Sequence, residues 1–222
     1  MSNQTLYEPH PGVEGFAADV RATETVGAQF VNGMWQAYYY TPPSTLIDIH
    51  PAEPTEWCGA YAIGTSSEIV GWAWPSNAAH RPVFWKESGG TWSFTDLLPT
   101  LPLQFAIATD INTDSEIVTS YTDRFSYQGG HLYADYESPA PSAYALTDLV
   151  NLSDFAPNFN AKVASATGIS DRAGSVGPTN RTAQRPSLFR RSSFRMTLIM
   201  MASRTTEKSS MVMRTMRLVD SG

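Results

Sequence analysis

AYAIGTSSEIVG, residues 60–71, returns three more times with drift: FAADVRATETVG at 16–27, IATDINTDSEIVT at 107–119 and ATGISDRAGSVG at 166–177. Each copy carries small and β-branched residues into a Val-Gly pair or its remnant. Aligning Val26, Val70, Val118 and Val176 spaces the copies about 45 to 60 residues apart. A period of this length denotes an array, propeller or solenoid, whose units bury their apolar faces only against neighbours.

The rest of the unit repeats as well. An aromatic stretch follows each copy: QAYYY at 36–40, RPVFW at 81–85, HLYA at 131–134 and RPSLF at 185–189. A closing stretch then sets an aspartate beside leucine or isoleucine, at Asp48, Asp96 and Asp148. In the second copy the punctuation is clear: strands are predicted at 60–63, 68–74, 81–86 and 91–97, divided by turns at 64–67 and 88–90 and a loop at 75–80. Short apolar runs between Gly, Ser, Asn and Pro clusters read as antiparallel strands. Four strands in one repeat period is the content of a propeller blade. No stretch holds apolar residues at helical spacing, and fifteen glycines and fifteen prolines interrupt the chain too often for long helices. The predicted fold is all-β, made of blade-like four-stranded antiparallel repeats in a partial or complete β-propeller.

Composition bounds the partners. The 222 residues are 42% hydrophobic, 12% aromatic and 16% charged, enough for a large core. A net charge of −6 argues against a nucleic-acid groove or an anionic membrane surface, since both need a basic field. No apolar run reaches the roughly 20 residues of a membrane-spanning helix, and the opening MSNQTLYEPHPG has neither the basic start nor the apolar stretch of a signal peptide. The single cysteine, Cys58, forms no disulfide within the chain and is expected to be a small buried core residue.

Units of the form A-x-x-I-N-x-x-G-x-I-V-G, followed by A-F-x-W and T-D-L, characterise the HAF-repeat proteins of bacteria, and this chain resembles them over residues 12–189. The resemblance rests on Asp110-Ile111-Asn112, Glu116-Ile117-Val118, Glu68-Ile69-Val70-Gly71, Pro82-Val83-Phe84-Trp85, Thr95-Asp96-Leu97 and Thr147-Asp148-Leu149. Ser67 and Ser115 stand where the pattern has glycine. The resemblance implies a propeller-like arrangement and a place outside the cell or on its surface, and it brings no catalytic residues with it.

The acidic residues read as structural. Asp19, Asp110 and Asp171 lie in or beside the turn between the first two strands, where an aspartate bonds its own backbone. Asp48, Asp96 and Asp148 recur once per unit, as a hydrogen bond between neighbouring strands requires. His10, His50, His80 and His131 show no metal-binding spacing, and nucleophile-elbow and phosphate-loop motifs are absent. No catalytic, cofactor-binding or metal residue is therefore assigned. Trp35, Trp57, Trp72, Trp74, Trp85 and Trp92, with Tyr38, Tyr39 and Tyr40, offer stacking surfaces for sugars but are expected to pack between blades.

The chain divides into an extension at 1–11, the repeat domain at 12–189 and a tail at 190–222 expected to be irregular. The tail holds six of the eight methionines and no repeat signature. Its alternative conformation is an amphipathic helix with Met196, Ile199 and Met200 on one face. Because methionine has one codon, the neighbouring reading frame is constrained. Read one base earlier, the codons of residues 196–202 give D-x-[DNHY]-[NHY]-D-G, the opening of a calcium loop. The tail is accordingly read as translated out of frame, with calcium a ligand of the parent protein and no cofactor held by this chain.

Function follows as a non-enzymatic exported β-repeat scaffold or binding module for a protein or carbohydrate ligand, with self-association through open blade edges. The alternatives are a propeller-type glycosidase or lyase acting on polysaccharide, using Glu14, Glu68 and Glu116, and an intracellular protein-binding propeller.

Overall fold

The computed structural model describes residues 13–43, 46–50, 56–65, 67–75, 79–97, 103–123, 128–133, 143–146, 160–170, 194–204 and 207–218. Every named element among them is a β-strand. The first sheet contains β1 (Gly15–Arg21), β2 (Glu24–Val31), β3 (Met34–Tyr40) and β4 (Ile47–Asp48). The second contains β5 (Glu56–Ile63), β6 (Glu68–Pro75), β7 (Arg81–Ser88) and β8 (Thr91–Asp96). The third holds β9 (Leu103–Ile111), β10 (Ile117–Asp123), β11 (Gln128–Tyr133) and β12 (Ala143–Ala145), and the fourth β13 (Asn160–Ile169), β14 (Phe194–Arg204) and β15 (Glu207–Leu218). Each sheet is an antiparallel meander in chain order, four-stranded in the first three and three-stranded in the last. The strands and turns predicted for the second copy are those observed, with β5 and β7 longer than expected.

Turn chemistry sets the hairpins. Asn32 and Gly33 both have positive φ, as do Gly89 and Gly90, giving two-residue turns whose twist suits the flanking strands. Ala22, Ser67 and Ser115, at the turn between first and second strands of three successive sheets, also have positive φ, at 53°, 55° and 61°. Left-handed backbone explains the glycine of the repeat pattern at the two serine positions. Ala22 takes the same backbone in an exposed turn. Ala22→Gly is expected to stabilise the chain by about 1 kcal/mol, read as a higher urea midpoint at unchanged slope.

A bulge recurs in each first strand, skipping Ala18, Tyr61, Thr109 and Thr167 in the pairing with the second strand. The bulge brings corresponding residues into register, so Val26, Val70 and Val118 lie opposite Asp19, Ala62 and Asp110. The sheets then stack in sequence. β5 packs on β2 and β3, β9 on β6 and β7, and β13 on β10 and β11. Both faces of the second sheet are buried. Cys58, Ala60, Ile63, Ile69, Ala73, Val83 and Trp85 meet Val26, Ala37, Tyr39 and Ile49 of the first sheet. Ala62, Val70, Phe84 and Leu97 meet Ala108, Ile111, Ile117 and Tyr133 of the third. Cys58 is fully buried, as expected, and its Sγ accepts a hydrogen bond from the Ala37 amide at 3.2 Å.

The tail departs from the expected irregular or helical form. β14 and β15 pair with each other, and β14 pairs with β13, completing the fourth sheet. The physical reason lies in FRMTLIMMA at 194–202, which alternates apolar and polar residues over 194–198 and continues as a short apolar run over 198–202, both patterns that suit a strand. The second half of the fourth copy, including Asp171, Val176 and residues 185–189, lies outside the described residues, as do Asp148 and His10. Among the described residues the stack of sheets is not closed on itself, and no helix is long and apolar enough to cross a membrane.

Candidate binding surface

Aromatic side chains gather at one end of the first three sheets, where the second strands finish and the third strands begin. Phe30 lies opposite Trp35 across the β2–β3 turn, and Trp57 lies opposite Trp74 between β5 and β6. Ring centroids then follow one another from Phe16 to Trp35 (5.7 Å), Phe30 (5.5 Å), Trp57 (6.4 Å), Trp74 (5.4 Å), His80 (4.6 Å) and Phe105 (4.7 Å). Two of these steps, Phe30 to Trp57 and His80 to Phe105, cross from one sheet to the next. The second is reinforced by the Ala106 amide, which donates to the His80 carbonyl at 3.0 Å. Trp72 stacks on His80 at 5.3 Å, with its indole seated over Gly59, where a Cβ would come within 2.7 Å of Nε1. A second stack, Tyr121 on His131 at 4.8 Å, lies in the third sheet over Gly129.

The row is aromatic throughout and partly open to solvent. Phe16, Phe30, Trp74 and Phe105 are exposed, whereas a chain of this kind ordinarily hides such rings. Burial lowers the pKa of His80 and of His131, so both imidazoles are neutral at physiological pH. No Asp, Glu, Lys or Arg belongs to the row. The face of an aromatic ring is the negative end of its quadrupole and suits C–H groups of a flat partner.

The expectation that the tryptophans pack between blades holds for two of them. Trp85 is fully buried, and Trp92 packs on the core with its ring 5.2 Å from that of Tyr39. Trp35, Trp57 and Trp74 belong to the row instead, and Trp72 stacks on its His80. A signal for this was present, since Phe30 and Trp74 each stand four residues after the repeat valine, at the end of the second strand.

Two of the three carboxylates considered for glycoside chemistry are buried and bonded. Glu68 is buried, its Oε1 3.3 Å from Lys86 Nζ and its Oε2 accepting from Ser115 Oγ at 2.7 Å. Glu116, at the same repeat position, is buried and accepts from Asn112 Nδ2 at 2.7 Å. Asn112 Oδ1 takes the amides of Asp114 and Glu116, closing the turn. The corresponding Glu24 accepts from the Tyr39 hydroxyl at 2.5 Å, and burial, followed by that carboxylate, raises the Tyr39 pKa to about 12. Glu14 is exposed.

The turn aspartates do more than was expected of them. Asp19 and Asp110 each bond the next amide through Oδ1, at 2.8 and 2.9 Å. Through Oδ2 each also reaches the following sheet, taking the amides of Ile63 at 3.0 Å and Ile169 at 2.8 Å. Asp48 accepts from the His50 amide at 2.8 Å, while Asp96 pairs with Arg81 at 3.3 Å across β7 and β8. Among the described residues no three His, Cys, Asp or Glu side chains are grouped to hold a metal ion. No protein-family model matches the chain, and no curated protein matches it.

Proposed function

We propose that this chain is a non-enzymatic, exported β-repeat binding module, a partial propeller in arrangement, whose aromatic row holds a neutral polysaccharide. The observation that carries the reading is the unbroken run of rings from Phe16 to Phe105, four of them solvent-exposed. Pyranose rings present a flat face of C–H groups and polar edges, which suits stacking on indole and phenyl faces without a charged partner. A negatively charged chain disfavours polyanions. Export rests on the resemblance to the HAF-repeat proteins. Engagement of Glu68 by Lys86 and Ser115 and of Glu116 by Asn112 supports a binding role over glycoside cleavage.

Affinity electrophoresis of the full chain through gels containing a soluble β-glucan, a xylan, a galactomannan or polygalacturonate tests the reading. Retardation by at least one neutral polymer and none by polygalacturonate is expected. Trp74→Ala is expected to weaken that binding at least about tenfold, as loss of an anchoring tryptophan does. Absence of retardation by every neutral polymer, or equal retardation of the variant, overturns the proposal.

A further inference from the structure

Because the bulge repeats, the four first strands correspond residue by residue. Val20 lies opposite Thr25, Ile63 opposite Ile69, Ile111 opposite Ile117 and Ile169 opposite Met196, each directly after the same bulge. The environments of these four residues differ in one respect. Ile63, Ile111 and Ile169 are 3%, 5% and 7% exposed, whereas Val20 is 62% exposed. The preceding positions follow the same pattern. Gly15 and Ala17 are exposed on β1, while the corresponding Cys58 and Ala60 on β5, Ala106 and Ala108 on β9, and Ala166 on β13 are buried.

The cover that Val20 lacks is known from the other sheets. Ile63 is enclosed by Val26, Ala37, Tyr39 and Ile49 of the preceding sheet, and Ile111 by Ala62, Val70, Phe84 and Leu97. Two of the three covered strands also receive a carboxylate from the sheet before, Asp19 on the Ile63 amide and Asp110 on the Ile169 amide. The interface therefore has direction: the first strand of one sheet sits on the second and third strands of the sheet before it. Repeat arrays end in polar caps when they stop there. β1 has no such cap.

We propose that the outer face of β1, centred on Val20, docks the last sheet of a second copy of this chain, so that copies join head to tail. This contact would continue the interface already built three times between the sheets. In the fourth sheet β14 and β15 hold the places of second and third strands, because the β13–β14 bulge sets Leu198 and Thr197 opposite Ala166 and Gly168 as the β9–β10 bulge sets Thr119 and Val118 opposite Ala108 and Asp110. Among the described strands none packs on β14 and β15 in the way β5, β9 and β13 pack on the sheets before them. The first sheet thus carries one half of the repeated interface and the last sheet carries the other. Such a heterologous contact extends into a ring or a filament.

Sedimentation equilibrium of the full chain over a wide concentration range reads the proposal. The weight-average mass of the wild type is expected to rise with concentration beyond that of one chain. Val20→Glu is expected to weaken association at least tenfold while leaving the circular-dichroism spectrum and urea midpoint unchanged, because this side chain lies mostly in solvent. Val20→Thr, which keeps the β-branch, is expected to weaken it less. Thr91→Glu, an equal change of charge at the exposed β7–β8 turn, is expected to leave association intact. A wild type monomeric throughout, Val20 variants that associate like the wild type, or a Thr91 variant as defective as Val20→Glu would each overturn the proposal.

Discussion

Gly71→Ala is expected to destabilise the chain by about 3 kcal/mol or more, a large part of the 5–15 kcal/mol that holds an ordinary domain together. A Cβ at this position would lie 2.0 Å from the Gly59 carbonyl oxygen and 2.9 Å from Ala60 Cα. Both obstacles are backbone, in a strand enclosed on both faces. β5 would have to move off β6, and with it Cys58 and Ala60 would leave the core shared with the first sheet. Thr119 occupies the corresponding place in the third sheet, so the conflict arises from the close approach of β5 rather than from the bulge itself. Gly27 supplies the comparison. Its Cβ would meet the Phe16 carbonyl oxygen at the same 2.0 Å, but β1 is exposed and has room to shift outward. Urea unfolding should show the larger loss for Gly71→Ala. Equal losses at both glycines would refute this account.

Trp85→Ala should cost about 3–5 kcal/mol, the range for deleting a large aromatic from a close-packed core. Trp85 is completely buried, packs edge-on to Phe94 at 5.8 Å, and belongs to the cluster that joins the first two sheets. Trp74 is of the same residue type in the same sheet, and its exposed ring should tolerate alanine at a small fraction of that cost. The measurement is a pair of urea titrations followed by far-ultraviolet circular dichroism, with polysaccharide retardation measured beside them. Trp85→Ala should lose stability and Trp74→Ala should lose binding. A Trp85 variant as stable as the wild type would show that the interface between the first two sheets is not held by this residue.

The contrast between these tryptophans marks what could be read from the sequence. Period-two alternation identifies a strand and its two faces, and the punctuation at 64–67 and 88–90 located the strands of the second sheet. When sheets stack, however, both faces are covered. Alternation then no longer separates inside from outside, and Trp85 and Trp74 look alike in the sequence. What separates them is position along the strand: Trp85 lies opposite Ile69 inside the stack, whereas Trp74 lies near the end of β6 opposite Trp57. The aspartates teach the same lesson. A turn role for Asp19 and Asp110 was legible from local chemistry, but their second hydrogen bonds reach amides 44 and 59 residues away in the chain.

The amino-acid sequence by itself determined the repeat, the all-β character and the hairpin punctuation, because these depend on local spacing, turn propensity and residues close in the chain. The tail was misjudged at that level, since its methionines suited a helix face as readily as a strand until a partner edge was available on β13. Tertiary structure decided which aromatic rings are core and which form an exposed row, which aspartates bind one sheet to the next, and why Val20 is uncovered while Ile63, Ile111 and Ile169 are not. Each of these turns on contacts between distant segments. A residue's identity states what it can bury or bond, and only its neighbours in space determine whether it does.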